Sequence, residues 1–146
     1  MGKTKRGKGT KIMGLADGYG LPLALRAESA SPAEVKLVEQ TMEERFVAEV
    51  PERLIGDKAY DSDPLRKRLQ KRGIELVCPH KKNRVRPATQ DGRALRRYRR
   101  RWIVERTIGW LGNYRRLVVR YDRSLQIYRA FFHIACFMIV LRRVVQ

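Results

Sequence analysis

The stretch LIGDKAYDSDPL at residues 54–65 is the part of the sequence on which the fold assignment turns. The apolar pair Leu54-Ile55 leads through Gly56 to an aspartate, which predicts a short buried strand that ends on a carboxylate. Asp57 is then either a turn residue or a group placed to hold something charged, because sites in open α/β sheets gather at the carboxyl ends of strands. Asp61 and Asp63 are better explained as turn and helix-cap residues.

Charge is distributed unevenly along the 146 residues, which include 33 Lys or Arg and 15 Asp or Glu. Residues 31–63 contain nine acidic and four basic residues, whereas residues 80–120 contain fourteen basic and two acidic residues. A net charge of +18, concentrated in one stretch, favours a polyanionic partner, and nucleic acid is the commonest polyanion. A membrane surface or an acidic protein would fit the charge alone.

The cysteines indicate a reducing compartment, since two in 146 residues form no disulfide framework. Cys78-x-His80 and His133-x-x-Cys136 offer zinc ligands, but their spacing is looser than in structural zinc sites. Buried cysteines and a histidine at the edge of the core are the favoured interpretation.

Neither export nor membrane insertion is predicted. Residues 1–11 are basic and lack the apolar core of a secretory signal. The run AFFHIACFMIVL at 130–141 is too short to span a bilayer and has Arg on both sides, which favours a buried helix. We therefore expect a cytoplasmic protein that associates with the nucleoid and not with a membrane.

Periodicity and turn signals predict one mixed α/β domain with a flexible basic arm at residues 1–10. Ser31 and Glu34 form a candidate capping box at the start of the first helix. The predicted elements are a β-hairpin over 11–27, a helix over 31–47, a strand over 53–57, a helix over 64–72, a strand over 74–79, a basic loop over 80–92, an Arg-rich helix over 93–111 and a closing helix over 124–145.

Glu105 is an acidic residue among arginines, in LRRYRRRWIVERTIGWLGNYRRL at residues 95–117. An ion pair with Arg101 or Arg106 would explain it. However, helical spacing places Tyr98, Arg101 and Glu105 along one face. A carboxylate beside so many cations also suits a metal-dependent phosphoryl-transfer site, where carboxylates hold a divalent metal and basic residues hold the phosphate backbone.

Several separated motifs resemble the C-terminal part of a bacterial insertion-sequence transposase of the DDE type. GDKAYDSDPL resembles the segment that carries the family's second catalytic Asp, and Tyr98-x2-Arg101-x3-Glu105 matches the start of its Tyr-Arg-Glu-Lys signature. The stretches GKTKRGKGTKIMGLADGYGLPL, TQDGRALRRYRRRW and WLGNYRRLVVRYDR are also similar to this group.

The resemblance implies an RNase H-like mixed sheet with flanking helices. It also implies two Mg²⁺ (or Mn²⁺) ions held by three carboxylates, which activate water to nick DNA at the element's ends before the freed 3′-hydroxyl attacks target DNA. Asp57 and Glu105 would be the second and third metal ligands, with Tyr98 and Arg101 positioning DNA near them. The resemblance also implies a homo-oligomer assembled on DNA.

Two departures from the family pattern matter. The Lys of the signature would fall at position 112, where this chain has Gly112, and the nearby Arg115 and Arg116 are candidate phosphate contacts. The first catalytic Asp lies upstream of the segment that this chain matches first. Asp17 does not replace it, because DGYG places Asp17 in the hairpin turn. We therefore expect a truncated or split enzyme that lacks its first strand, with an upstream reading-frame product as a possible partner.

Other interpretations stay open at this stage. Trp102, Trp110 and Tyr114 either stack on flipped bases or belong to the core, and the core is favoured. Five arginines within six positions surround the helix, so we expect phosphate contacts from this segment, including Arg97 and Arg100, with Lys81, Lys82, Arg84 and Arg86 extending the same surface. The rival function is a non-catalytic basic protein that only binds nucleic acid, or a decayed transposase remnant.

Overall fold

The computed structural model describes residues 2–4 and 7–145, with side chains described from residue 9 to residue 145. The chain divides into two compact units: the first combines Met1–Val47 with Ile103–Gln146, and the second is Ala48–Trp102. The predicted mixed α/β class is confirmed, since strands and helices occur in both units. The single domain expected from the length stays a prediction.

An antiparallel hairpin is the framework of the first unit. Strand β2 (Gly7–Ala16) pairs with β3 (Pro22–Ser29) in the register Thr10↔Ser29 through Leu15↔Ala24, with an irregularity before Ala16. The hairpin predicted over 11–27 is thus confirmed, and both strands extend beyond it.

The turn of this hairpin confirms the role expected for Asp17. Its Oδ1 accepts hydrogen bonds from the backbone N–H groups of Tyr19 and Leu21, each at 2.8 Å. Gly20 closes the turn with φ at +89°, a conformation that residues with a Cβ rarely adopt.

The start of the sheet differs from the expected irregular arm. Strand β1 (Gly2–Thr4) pairs antiparallel with Gly7–Gly9, so backbone hydrogen bonding holds an extended structure that the Gly- and Lys-rich composition does not indicate. Met1, Lys5 and Arg6 lie outside the described residues. Since β1 reaches only to Gly9, no described strand pairs with the outer edge of β2 over residues 10–16.

Helix α1 (Glu34–Glu43) is shorter than the predicted 31–47. Ser31 is not its cap: the N-cap is Ala33, with no side-chain hydrogen bond, and the backbone N–H of Ser31 donates to Ser29 Oγ. The helix ends early because the chain turns back to the sheet, where Phe46 N–H donates to Leu23 C=O at 2.7 Å. At the start of the helix, Lys11 of the hairpin donates to the Pro32 C=O at 2.8 Å and lies 3.7 Å from Glu34 Oε1, so hairpin contacts override the local capping signal.

The closing helix α6 (Leu125–Val144) is confirmed with Ser124 as its N-cap. One face packs with β3 in the core of the first unit through Tyr128, Phe132, Ala135, Cys136 and Ile139. Among the described residues, α6 is also the one helix long and apolar enough to cross a membrane by length and composition. Core helices of soluble proteins pass the same test.

The second unit is built on a parallel pair of strands, β4 (Arg53–Ile55) and β5 (Glu75–Val77), joined by α2 (Asp63–Lys71). The predicted order is confirmed, but β4 is not buried: Arg53 and Ile55 are exposed. The core lies instead between α2 and β5, and it contains Leu65, Leu69, Ile74, Leu76, Val77 and Cys78.

The Arg-rich helical segment predicted over 93–111 is confirmed in extent, but its middle is not α-helical. The chain forms α3 (Gly92–Arg96), a 3₁₀ segment (Arg97–Arg101) and α4 (Trp102–Leu111), followed by the short helix α5 (Arg115–Val118). A 3₁₀ segment has three residues per turn, so side chains at i and i+3 eclipse. This spacing places the Arg101 guanidinium over the Tyr98 ring, 5.5 Å from its centroid.

Candidate active site and nucleic-acid interface

Asp57 lies just beyond β4, at the carboxyl end of the strand. It is the N-cap of a 3₁₀ turn over Lys58–Tyr60, and its Oδ1 accepts a hydrogen bond from the Ala59 N–H at 2.7 Å. Gly56 is required here, because a Cβ on it would lie 2.9 Å from the Tyr60 ring. Asp57 is therefore a turn residue, and the hydrogen bond fixes one carboxylate oxygen of its half-buried side chain.

Asp61 is the centre of a buried polar cluster that the sequence did not indicate. Its side chain is only 2% exposed. Oδ1 lies 2.9 Å from His80 Nδ1 and 3.2 Å from Arg84 Nη1, while Oδ2 accepts from the Lys81 N–H at 2.9 Å. Arg66 Nη2 lies 3.6 Å from Oδ1. We call these groups the Asp61 cluster.

The Asp61 cluster keeps its carboxylate ionised. Burial alone would raise the pKa of Asp61, but the hydrogen bonds from the Lys81 N–H and His80, together with the charge of Arg84, lower it overall. His80 Nε2 accepts from the Thr89 N–H at 3.2 Å, so Nδ1 carries the proton that is donated to Asp61. The basic loop (residues 80–92) is therefore fixed near both ends: Lys81 is bound to Asp61, and Thr89 is bound to His80.

Asp63 holds the basic loop from a second direction. Arg84 Nη2 donates to it at 2.8 Å and Arg86 Nη1 at 3.1 Å, and the Arg84 hydrogen bond is the largest cause of a lowered pKa for Asp63. Ser62, not Asp63, is the N-cap of α2. Arg84 also donates to the carbonyls of Arg86 and Pro87. Arg84 is consequently bound inside the protein, and the prediction that it extends a phosphate-binding surface is not supported by its contacts.

Several other cations of this unit face outward. Lys81 and Lys82 are exposed in the basic loop. In the arginine segment (Arg96–Arg101), the side chains of Arg97, Arg99 and Arg100 are exposed, and Arg101 is half-buried over Tyr98. These positions form a cationic surface on which a phosphate backbone could be held.

Glu105 lies in the first turn of α4 and is exposed. Thr107 and Arg106 anchor this helix to the hairpin turn: Thr107 Oγ1 donates to Gly20 C=O at 2.7 Å and Arg106 Nη2 to Tyr19 C=O at 2.6 Å. These contacts, 87 residues apart in sequence, fix the helix that carries Glu105.

The two predicted metal ligands belong to different units. Asp57 lies in Ala48–Trp102, whereas Glu105 lies in the unit that contains Ile103–Gln146. Among the residues that the structure describes, no group of three or more His, Cys, Asp or Glu side chains could hold a metal ion. Both carboxylates are partly or fully exposed at element ends, and oxygen donors of this kind suit Mg²⁺ or Mn²⁺.

Gly112, where the family signature has Lys, closes α4. Its N–H donates to the carbonyls of Ile108 and Gly109, and a Cβ would lie 3.1 Å from Gly109 O. Arg115 and Arg116 follow at the start of α5 and are exposed, with Arg116 stacked 5.3 Å from the Phe131 ring centroid.

The cysteines, Trp110 and Tyr114 fit their structural interpretations, whereas the core position favoured for Trp102 is wrong. Burial raises the pKa of Cys136 to about 11 and also raises that of Cys78, which keeps both as thiols. Trp110 and Tyr114 pack against the core of the first unit, whereas Trp102 is 53% exposed.

The family is identified by comparison with known proteins. The family model of the transposase DDE domain matches residues 1–141, so the chain belongs to this family. It is 38% identical over 89 residues to a Burkholderia cepacia protein described as a transposase for insertion sequence element IS402, a match covering 61% of this chain and 38% of that protein. It is 30% identical over 136 residues to a Brucella ovis protein described as a transposase for element IS6501, covering 91% of this chain and 98% of that protein.

These findings confirm the resemblance on which the sequence analysis relied. No solved structure matches the chain. Transposases act on DNA, and the DDE family generally uses divalent metal ions.

Proposed function

We propose that this chain carries the second and third catalytic carboxylates of an insertion-sequence transposase that cleaves DNA at the element's ends and joins them to a target. The observation that carries this proposal is the DDE family match, because residues 1–141 include both Asp57 and Glu105. The fold proposed for the chain is the RNase H-like mixed sheet with flanking helices that the resemblance to the family implies.

The proposed metal ligands are Asp57 and Glu105. Asp57 is oriented by its hydrogen bond to the Ala59 N–H, and Glu105 by a helix anchored on the hairpin turn. Bound Mg²⁺ or Mn²⁺, two ions in the complete site, would supply activation of water and of the DNA 3′-hydroxyl. The contribution of the chain is to hold carboxylate oxygens in place and phosphates nearby.

The remaining carboxylate, which is the first catalytic Asp of the family, is proposed to come from a strand that pairs along the outer edge of β2. No described strand pairs along this edge over residues 10–16, and an open sheet edge accepts a further strand by backbone hydrogen bonding. An upstream reading-frame product that carries an Asp on such a strand is the proposed donor.

The proposed DNA interface consists of the outward-facing cations. Lys81 and Lys82 in the basic loop and Arg97 and Arg100 in the arginine segment would contact the phosphate backbone. Tyr98 and Arg101, stacked on one another, would position the DNA near the metal site, and Arg115 and Arg116 of the first unit are further proposed phosphate contacts. The protein would act in the cytoplasm, at the nucleoid.

The proposed homo-oligomer has a surface available on α6. The apolar positions 127, 130, 134, 137, 141 and 144 alternate in spacing by three and four, as in a coiled-coil seam, and face away from the core of the first unit. Ile134 and Phe137 are 57% and 63% exposed. The flanking positions 126, 131, 133, 138, 140 and 145 carry no Asp, Glu, Lys or Arg, so a second copy would meet no like charge there.

Sedimentation velocity tests this surface. The wild-type chain should self-associate, and Phe137→Ser should remove the self-association; identical sedimentation of both proteins contradicts this contact.

The catalytic proposal is tested by DNA nicking. The chain is incubated with the element's ends and Mg²⁺ or Mn²⁺, alone and fused to the upstream frame. We expect nicking only by the fusion, abolished by Asp57→Asn or Glu105→Gln and unaffected by Glu52→Gln, an exposed carboxylate in the same unit as Asp57. Nicking that survives both substitutions contradicts the assignment.

The alternative function is nucleic-acid binding without catalysis. It is favoured by the same exposed cations, which require no metal site. Salt-sensitive DNA binding with no nicking by either the chain or the fusion would establish this alternative.

A further inference from the structure

An open cleft of about 570 Å³ lies in the first unit, between the start of β2 and the loop over residues 119–124. Gly9 and Thr10 line it on the strand side, and Arg120, Tyr121 and Arg123 line it on the loop side. This volume lies within the range of small-ligand sites, which is roughly 300–1,000 Å³. No predicted site residue belongs to the cleft.

Arg120 holds the loop side of the cleft in place. Its guanidinium donates to Thr10 Oγ1 at 2.5 Å, to Asp122 C=O at 2.9 Å and to Arg123 C=O at 3.1 Å. It also stacks over the Tyr128 ring at 5.1 Å. Since its donors are satisfied within the chain, Arg120 positions the loop, which is ordered before any ligand arrives.

The loop then presents an aromatic ring and a cation to solvent. Tyr121 is 63% exposed, and the side chain of Arg123 is also exposed. The carboxylate between them is withdrawn: Asp122 Oδ2 is buried, and Oδ1 lies 3.9 Å from Arg116 Nη1. The mouth of the cleft is consequently aromatic and cationic.

We propose that this cleft binds one nucleotide unit of single-stranded DNA, with the base stacked on Tyr121 and a phosphate held by Arg123. An exposed ring next to an arginine is the combination by which proteins hold unpaired strands. A base inside a duplex is already stacked on both faces, so the ring selects an unpaired one. This inference rests on the proposed function, since a strand nicked at an element's end can separate from its complement there and expose unpaired nucleotides.

The test uses a short single-stranded oligonucleotide that contains 2-aminopurine, whose fluorescence falls when the base stacks on an aromatic ring. We expect wild type to quench the probe, and Tyr121→Ala to lose the quenching and to bind about five- to tenfold more weakly. Tyr121→Phe should retain both properties. Tyr19→Ala is the matched control, because Tyr19 is 83% exposed in the hairpin turn of the same unit.

Arg123→Gln adds an electrostatic measurement. It should lower the dependence of log affinity on log salt by about 0.7, the value for one phosphate contact on a single strand. Equal quenching and affinity for Tyr121→Ala and Tyr19→Ala would overturn the proposal. Wild type that binds duplex DNA but not the single strand would also overturn it, while leaving the proposed duplex contacts in place; wild type that binds neither would overturn both.

Discussion

Arg84 in the basic loop and Arg97 in the arginine segment carry the same charge in very different surroundings. Arg84 donates to Asp61, to Asp63 and to two backbone carbonyls. Arg97 is exposed within a run of arginines. The comparison shows that charge density along a sequence does not measure the charge offered to a ligand, because acidic residues elsewhere in the chain can bind part of it.

Removing the buried carboxylate tests the first half of this comparison and should have the largest effect. Asp61→Ala leaves Arg84, Arg66 and His80 around an empty position, and breaking a buried ion pair in this way costs about 3 kcal/mol in free energy of unfolding. Urea denaturation of the variant measures it, with Glu52→Gln as the exposed control in the same unit. Equal midpoints for the two variants would show that the cluster contributes no stability.

Removing exposed arginines tests the second half. Arg97→Gln, Arg99→Gln and Arg100→Gln combined should weaken duplex DNA binding on the order of a hundredfold at about 0.1 M salt, if each contacts one phosphate. Fluorescence anisotropy over a salt series measures this loss. The matched variant Arg84→Gln should leave the dependence of log affinity on log salt unchanged. A decrease of this slope equal to that of one phosphate contact would show that Arg84 contacts DNA as the exposed arginines do.

Acidification should weaken the Asp61 cluster before the core. Folding lowers the pKa of Asp61 and of Asp63, so the unfolded chain binds protons more readily than the native one. The stabilisation is therefore present above the usual carboxyl pKa and is lost as pH falls through the lowered native values. Unfolding free energies of wild type and Asp61→Asn should converge as pH falls from neutral to below the usual aspartate pKa of about 3.9. A difference that stays constant over this range would contradict the ionised carboxylate.

The smallest effect is expected at the rim of the same network. The side chain of Arg86 is 72% exposed where it meets Asp63, and exposed ion pairs contribute little. Arg86→Gln should leave the urea midpoint within the scatter of replicates. A shift comparable with that of Asp61→Ala would show that the exposed pair shares in the buried network.

The sequence predicted what depends on local pattern. The β2–β3 hairpin, the β4–β5 pair, α2 and α6 follow from apolar periodicity and turn residues, and the turn role of Asp17 was confirmed. The Asp61 cluster was missed because its partners lie up to 23 residues away, so no local signal marks it. Likewise, Ser31 lost its capping role to contacts between α1 and the hairpin.

The candidate site was predicted in composition but not in geometry. Asp57 and Glu105 were predicted as metal ligands from their sequence context, and their roles stay predictions; the match over residues 1–141 confirms the family. The tight 3₁₀ segment before α4 was not foreseen, since Arg and Tyr have ordinary helix propensities and the stacking of Arg101 on Tyr98 becomes visible only in three dimensions.

Iron-directed cleavage would test most directly whether Asp57 and Glu105 hold the same metal. In the fusion that nicks DNA, Fe²⁺ replaces Mg²⁺, and peroxide generates radicals that cut the backbone beside the metal; mass spectrometry then locates the cuts. The account predicts cuts near both residue 57 and residue 105, with Asp57→Asn and Glu105→Gln each removing both sets. Cuts at only one of the two positions, or cuts that persist in both variants, would contradict a shared metal site.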